Sequence, residues 1–87
     1  VATYQAVSGA GKGGQEELGG QLQAWSKGQT APAPQTFPHP IAMNCVPQIG
    51  GFQDNGFCSE ELKIMKETKK ILGDASFRVS AFTVRIP

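Results

Sequence analysis

The chain has 87 residues, a formal net charge of +1 at pH 7 and 17% charged residues. Its Lys and Arg residues are scattered among acidic ones, which argues against a nucleic-acid ligand. No apolar run approaches the roughly 20 residues that span a bilayer, and the first residues lack signal-peptide features, so we expect a soluble, cytoplasmic protein. So short a chain buries little surface, and we expect a subunit or neighbouring domain to support it.

The first third of the chain predicts a strand, a turn and a helix. Residues 1–8 are rich in β-branched and aromatic side chains and lead into a glycine-rich turn. Leu18, Leu22 and Trp25 then recur at helical spacing, which predicts a helix that ends near Gly28 and has Trp25 as a core anchor. Its four interior glycines each disfavour the helix by about 1 kcal/mol relative to alanine, so it depends on tertiary contacts.

The middle of the chain predicts a loop and a short strand. Four prolines between residues 32 and 40 remove backbone donors and forbid a helix, which predicts a connecting loop. Residues 41–46 form a strand candidate. Cys45 and Cys58 are expected to be buried free thiols of a reducing compartment. His39 lies near one of them, but a structural zinc needs four ligands, so we expect no metal site.

A second helix has the clearest local signals. Ser59 is the predicted N-cap, acidic residues follow in the first turn, and Lys69 and Lys70 lie in the last turn, as the helix dipole favours. Gly73 is predicted to end it. The helix has one apolar face at 100° per residue, made of Ile64, Met65, Thr68, Ile71 and Leu72.

The last predicted element is a strand over residues 78–86, where side chains alternate between two faces. The chain begins without Met and ends at this strand, so we expect a segment of a longer protein. The order strand, helix, strand, helix, strand predicts an α+β fold, with helices on one face of a mixed or antiparallel sheet.

Residues 9–14 satisfy the G-x-G-x-x-G pattern after a predicted strand, which raises the hypothesis of a dinucleotide site. Such a site needs an acidic residue at the end of a second strand about 20 positions on, and residues 28–32 contain neither. Two interpretations stay open. The segment is either a plain tight turn, or backbone N–H groups that contact an anionic cofactor bound mainly elsewhere.

Four polar side chains are candidates for a shared ligand site. Glu60 and Lys63 are three residues apart and project from the same side of the second helix, while Gln5 and Arg85 lie on strands. Together they offer an amide, a carboxylate, an ammonium and a guanidinium, which suit a zwitterionic or phosphorylated amino acid. The alternative is a solvated ion pair and a surface charge at a strand end.

Six segments of the chain have distinctive sequences, namely residues 3–11 (TYQAVSGAG), 44–49 (NCVPQI), 54–56 (DNG), 60–63 (EELK), 67–73 (ETKKILG) and 78–87. In order and spacing they resemble aspartate-semialdehyde dehydrogenase, over essentially the whole chain. The resemblance implies that residues 1–87 are part of the catalytic and dimerisation domain, a partial glyceraldehyde-phosphate-dehydrogenase-like fold, and that the nucleotide-binding domain is absent.

The resemblance also implies roles for the polar residues. The family interconverts aspartyl phosphate and aspartate semialdehyde with NADP(H) through a cysteine thioester, in the biosynthesis of lysine, threonine and methionine. By resemblance Gln5 orients the substrate and Glu60 is the acid that meets it. Lys63 holds phosphate, and Arg85 clamps the substrate carboxylate.

For cofactor and partners, the resemblance implies that Ser8 and Gly9 form a turn that touches NADP, and that the protein is a homodimer. The family's nucleophilic cysteine and its acid/base histidine lie outside this segment, and neither Cys45, Cys58 nor His39 occupies their positions. We therefore expect a fragment that is inactive in isolation. The alternatives are a noncatalytic dimerisation or interaction module, and a small independent nucleotide-binding protein.

Overall fold

Two strands and two helices make up the regular structure of residues 1–87, all of which the computed structural model describes. A short 3₁₀ turn at Val7–Ala10 joins the first strand to the first helix. In chain order the elements are β1 (Ala2–Ala6), α1 (Gly11–Ser26), α2 (Ser59–Leu72) and β2 (Phe82–Ile86).

The two strands pair in parallel, with Gln5 of β1 opposite Arg85 of β2. The prediction of a mixed or antiparallel sheet is therefore wrong. The connection between the strands contains both helices and the proline-rich segment, and it is long enough to return the chain to the end of the sheet where β1 began. A parallel pair requires such a long crossover.

The predicted strand over residues 41–46 is also wrong, apart from one bridge. The Asn44 side chain donates to the Pro40 carbonyl at 2.8 Å and accepts from the Cys45 N–H at 2.9 Å. These local bonds stabilise a turn, because Asn competes well for nearby backbone groups. Only Val46 reaches the sheet, where it exchanges backbone hydrogen bonds of 2.9 and 2.8 Å with Arg85.

The core lies between the 3₁₀ turn, α1 and the proline-rich segment. Its fully or nearly buried members are Val7, Phe37, Ile41 and Val46, and Leu18 of α1 packs against them. Two of these residues, Phe37 and Ile41, come from the segment predicted as a connecting loop and the turn that follows it. The loop therefore supplies core side chains as well as a connection.

Large apolar side chains remain exposed on both helices. Trp25 is 64% exposed and Ile71 is 82% exposed, so neither is a core residue within this chain, in contrast to the prediction for Trp25. The chain measures 52 × 23 × 17 Å with a radius of gyration of 15.5 Å, against about 12 Å for a compact domain of this length. The elongated shape leaves these faces open to other structure.

Both cysteines are free, and their surroundings differ. Cys58 is fully buried, with its sulfur 3.3 Å from the hydroxyl oxygen of Thr83. Cys45 is exposed, so the prediction of two buried thiols holds only for Cys58. No three His, Cys, Asp or Glu side chains are grouped so that they could hold a metal ion. Neither helix combines the length and the apolar character needed to cross a membrane.

Close packing around one helical glycine leads to a stability prediction. An added Cβ at Gly14 would lie 2.8 Å from the Val7 carbonyl oxygen and 3.0 Å from the Phe37 ring, whereas Gly19 has no such neighbour within 4 Å. We expect Gly14→Ala to lower the free energy of unfolding by about 1–3 kcal/mol through overpacking. The control, Gly19→Ala, should raise it by about 1 kcal/mol through helix propensity.

Urea denaturation followed by circular dichroism measures both variants. The chain concentration must be held fixed, because association changes apparent stability. Equal effects of the two substitutions would contradict the close packing at Gly14.

Candidate functional site

Arg85 lies near the end of β2 and is only 8% exposed. Its Nη1 atom donates a hydrogen bond of 2.9 Å to the Ala6 carbonyl, and its guanidinium carbon lies 5.8 Å from the centre of the Phe37 ring. One hydrogen bond occupies a single donor of the five that a guanidinium carries. Arg85 is therefore held in place with most of its donors unused.

No carboxylate of the chain pairs with Arg85. The one ion pair in the structure joins Lys12 and Glu16 of α1 at 3.7 Å, and both side chains are exposed. Removing a charge from water is costly, so a mostly buried charge normally has an opposite charge beside it. The site can accordingly accept an anion from outside the chain.

Gln5 shares the sheet face of Arg85. The two residues are opposite each other in the parallel register, so their side chains project to the same side, together with Thr3 and Thr83. The Gln5 amide nitrogen donates to the Thr3 hydroxyl at 3.1 Å, and its amide oxygen has no partner within the chain. The structure thus brings an amide and a guanidinium together, as the predicted ligand set requires.

The glycine-rich turn lies beside this pair. Ser8 and Gly9 are both exposed in the 3₁₀ turn that follows β1. A Cβ added to Gly9 would lie 3.0 Å from Nη1 of Arg85. The predicted cofactor turn and the predicted carboxylate clamp are therefore direct neighbours, although the sequence separates them by 76 positions.

Glu60 and Lys63 lie on a different element from Gln5 and Arg85. Glu60 is half-buried and Lys63 is exposed, where it lines an open groove of about 420 Å³ with Lys66 of the same helix. No hydrogen bond or ion pair connects either side chain to the Gln5–Arg85 pair. The structure brings two of the four predicted substrate residues together and leaves the other two on the first turns of α2.

Glu61 holds those first turns of α2 against β2, a role the sequence did not reveal. Its carboxylate accepts the Cys58 N–H at 3.0 Å and the Thr83 N–H at 2.8 Å. Burial raises the pKa of this carboxyl, but the hydrogen bonds from Cys58 and Thr83 outweigh burial and hold the pKa below its ordinary value. Cys58, not Ser59, is the N-cap residue. An acid at the third helical position is the capping-box signal that could have indicated the Cys58 contact.

Glu17 of α1 holds the proline-rich segment in the same way. Its carboxylate accepts the N–H groups of Gln35, Thr36 and Phe37 at 2.7, 2.8 and 3.1 Å. Burial raises the pKa of Glu17, and these three hydrogen bonds lower it further than burial raises it. No sequence signal indicated this contact, because the partners lie 18–20 residues away.

Residues 1–87 match the family model described as "Semialdehyde dehydrogenase, dimerisation domain" along their full length. The chain therefore belongs to this family. Its relatives include the aspartate-semialdehyde dehydrogenase of Aquifex aeolicus, which is 49% identical over all of this chain and 26% of its own length. The resemblance inferred from the motifs is confirmed.

Solved structures agree with the sequence relatives. The crystal structure of aspartate semialdehyde dehydrogenase II complexed with ASA from Vibrio cholerae matches 99% of this chain and 25% of its own, with a TM-score of 0.94 and 49% identity. A probable aspartate-semialdehyde dehydrogenase from Pseudomonas aeruginosa has a TM-score of 0.87 at 24% identity, which shows the shared fold alone. The chain spans about a quarter of the length of the relatives it matches.

Proposed function

We propose that residues 1–87 form the substrate-binding part of the catalytic and dimerisation domain of an NADP-dependent aspartate-semialdehyde dehydrogenase. The enzyme would interconvert aspartyl phosphate and aspartate semialdehyde in aspartate-family amino-acid biosynthesis in the cytoplasm. The observation that carries the proposal is Arg85, which is mostly buried, has no carboxylate partner and lies beside Gln5 on one sheet face. The family match over the full chain supports it.

In this proposal the chain binds and orients the substrate. The Arg85 guanidinium binds the substrate carboxylate through two parallel N–H donors, a geometry that suits a planar fork. The Gln5 amide orients the reacting end, Glu60 meets the substrate as an acid, and Lys63 attracts phosphate as a point charge. The cysteine nucleophile and the histidine base come from other parts of the enzyme, so the chain contributes positioning and not covalent chemistry.

The turn at Ser8 and Gly9 has features that suit a phosphate of NADP. It is exposed, it leads directly into α1, and the first turn of α1 contains Lys12 and no acidic residue. A helix start of this kind presents unpaired backbone N–H groups to an anion. NADP(H), when bound, supplies or accepts the hydride, and the turn would hold one of its phosphates while the family's nucleotide-binding domain would bind the rest.

A homodimer is part of the proposal. Tyr4 and Phe82 are 73% and 54% exposed on the sheet face opposite Gln5 and Arg85. Large apolar side chains that are exposed on one sheet face are typical of a contact with other protein structure. The match to a dimerisation-domain family supports a second copy of the chain as one partner.

Turnover by a full-length chimaera tests the proposed function. In this chimaera, residues 1–87 replace the matching quarter of the Vibrio cholerae enzyme. We expect it to reduce NADP in the presence of aspartate semialdehyde and phosphate. The isolated chain should show no turnover above a buffer blank, because covalent catalysis needs a nucleophile and a base in reach.

Sedimentation and circular dichroism control for folding and for dimer formation in the chimaera. A folded, dimeric chimaera without turnover would favour the noncatalytic dimerisation module instead. Turnover by the isolated chain would contradict the assignment of the nucleophile and base to other segments.

A further inference from the structure

We infer that Phe37, from the proline-rich segment, is a positioning residue that orients the Arg85 guanidinium for its ligand. This inference rests on the proposed function of Arg85 and adds a residue to it. Nothing in the sequence pattern connects Phe37 with the substrate residues, which lie on the strands and on α2.

Three groups surround the guanidinium and are called here the arginine seat: the Ala6 carbonyl, the Cα of Gly9 and the Phe37 ring. The carbonyl accepts from Nη1 at 2.9 Å, and the ring centre lies 5.8 Å from the guanidinium carbon. At Gly9 a Cβ would approach Nη1 to 3.0 Å, so the absence of a side chain leaves room for the guanidinium. The seat uses one donor and an aromatic ring, which leaves the other N–H groups for an anion.

The ring itself is fixed from two directions. Phe37 is 6% exposed, and its own N–H donates to Glu17 at 3.1 Å. On the other side the ring atom Cζ lies 3.0 Å from where a Cβ of Gly14 would stand, so α1 blocks movement of the ring toward the helix. Phe37 therefore presents a rigid surface to Arg85.

A rigid aromatic surface matters because an arginine side chain is long and has many rotamers. Two parallel hydrogen bonds to a carboxylate form only when the planar fork has the correct orientation. An aromatic ring within about 6 Å attracts the guanidinium and restricts its positions. Without the ring, Arg85 keeps its charge but must be ordered by the ligand, which weakens ligand binding.

Steady-state kinetics of the Phe37→Leu chimaera test the inference. We expect kcat/KM for aspartate semialdehyde to fall about threefold to thirtyfold, mainly through a higher KM, from the loss of the cation–π contact. Ile41→Val is the matched control, because Ile41 is buried in the same core and does not surround the guanidinium. Phe37→Met, which keeps apolar volume, replaces Phe37→Leu if that variant does not fold.

A double-mutant cycle with Arg85→Lys separates positioning from general destabilisation. If Phe37 acts by orienting the planar fork of Arg85, its replacement should raise KM clearly less in the Arg85→Lys background, where the fork is absent. The inference is overturned if Phe37→Leu and Phe37→Met keep full kcat/KM, or if their effects are equally large in both backgrounds. A normal kcat/KM for Arg85→Lys alone would instead refute the carboxylate-clamp role of Arg85 on which this inference rests, whereas loss of turnover in the unmutated chimaera would count against the proposed function.

Discussion

In the chimaera, Arg85→Lys is expected to lower kcat/KM for aspartate semialdehyde about tenfold to a hundredfold. Lysine keeps the positive charge but loses the planar fork that binds a carboxylate with two parallel hydrogen bonds. It also loses the fit between the Ala6 carbonyl and the Phe37 ring, which together hold the guanidinium. Steady-state kinetics at saturating NADP and phosphate measure the effect.

Arg78→Lys is the matched control for this prediction. Arg78 is exposed and lies outside both the sheet and the site, so the same exchange there should leave kcat/KM unchanged. A folded Arg85→Lys chimaera with full kcat/KM would show that Arg85 is a structural charge and not the carboxylate clamp.

The second large effect is expected at Glu61. Glu61→Ala would leave the buried N–H groups of Cys58 and Thr83 without an acceptor. Each unsatisfied buried donor lowers the free energy of unfolding by about 1–3 kcal/mol. Loss of the acceptor for both donors should therefore lower it by about 2–6 kcal/mol and release α2 from β2. Amide hydrogen exchange of residues 80–86 measures this locally, because exchange reports the free energy of opening. Glu60→Ala is the control, since the Glu60 side chain makes no hydrogen bond and its loss should leave exchange unchanged.

The hydrogen bonds of the Glu61 carboxylate also make the stability of the α2–β2 contact depend on pH. The pKa of Glu61 is held below its ordinary value of 4.5 in the folded chain. A carboxyl with a lowered pKa contributes stability above the ordinary value, and that contribution is lost as pH falls through the lower, folded value. Amide protection in β2 should therefore decline below about pH 4.5. Glu61→Gln should lack this acid-dependent decline, and an unchanged pH profile in that variant would contradict the role of the carboxylate.

The sequence predicts α2 well because its signals are local. The acidic first turn, the basic last turn and Gly73 with its positive φ of 67° all lie within the helix or next to it, and the helix ends at Leu72 as expected. What covers the exposed apolar face of α2 is not predictable from local signals. Helical spacing predicts that Ile71 is buried, but it does not say against what, and the chain spans only a quarter of its relatives.

The residue types of the candidate site are visible in the sequence, but the arrangement of these residues in the fold is not. Residue types suggested that Gln5 and Arg85 share a ligand, and the parallel register places the two residues opposite each other. The direction of pairing depends on how a long connection folds, which no local pattern encodes. Phe37 was missed for the same reason, since it lies 48 positions from Arg85 in a segment that resembles a plain loop.

A crystal structure of the chimaera with aspartate semialdehyde tests the central claim most directly. We expect the substrate carboxylate to accept two hydrogen bonds from Arg85, at about 2.7–2.9 Å, with Nη1 still on the Ala6 carbonyl and the guanidinium over the Phe37 ring. The Gln5 amide should face the same ligand. A substrate carboxylate bound elsewhere, with Arg85 still bonded only to Ala6, would contradict the account.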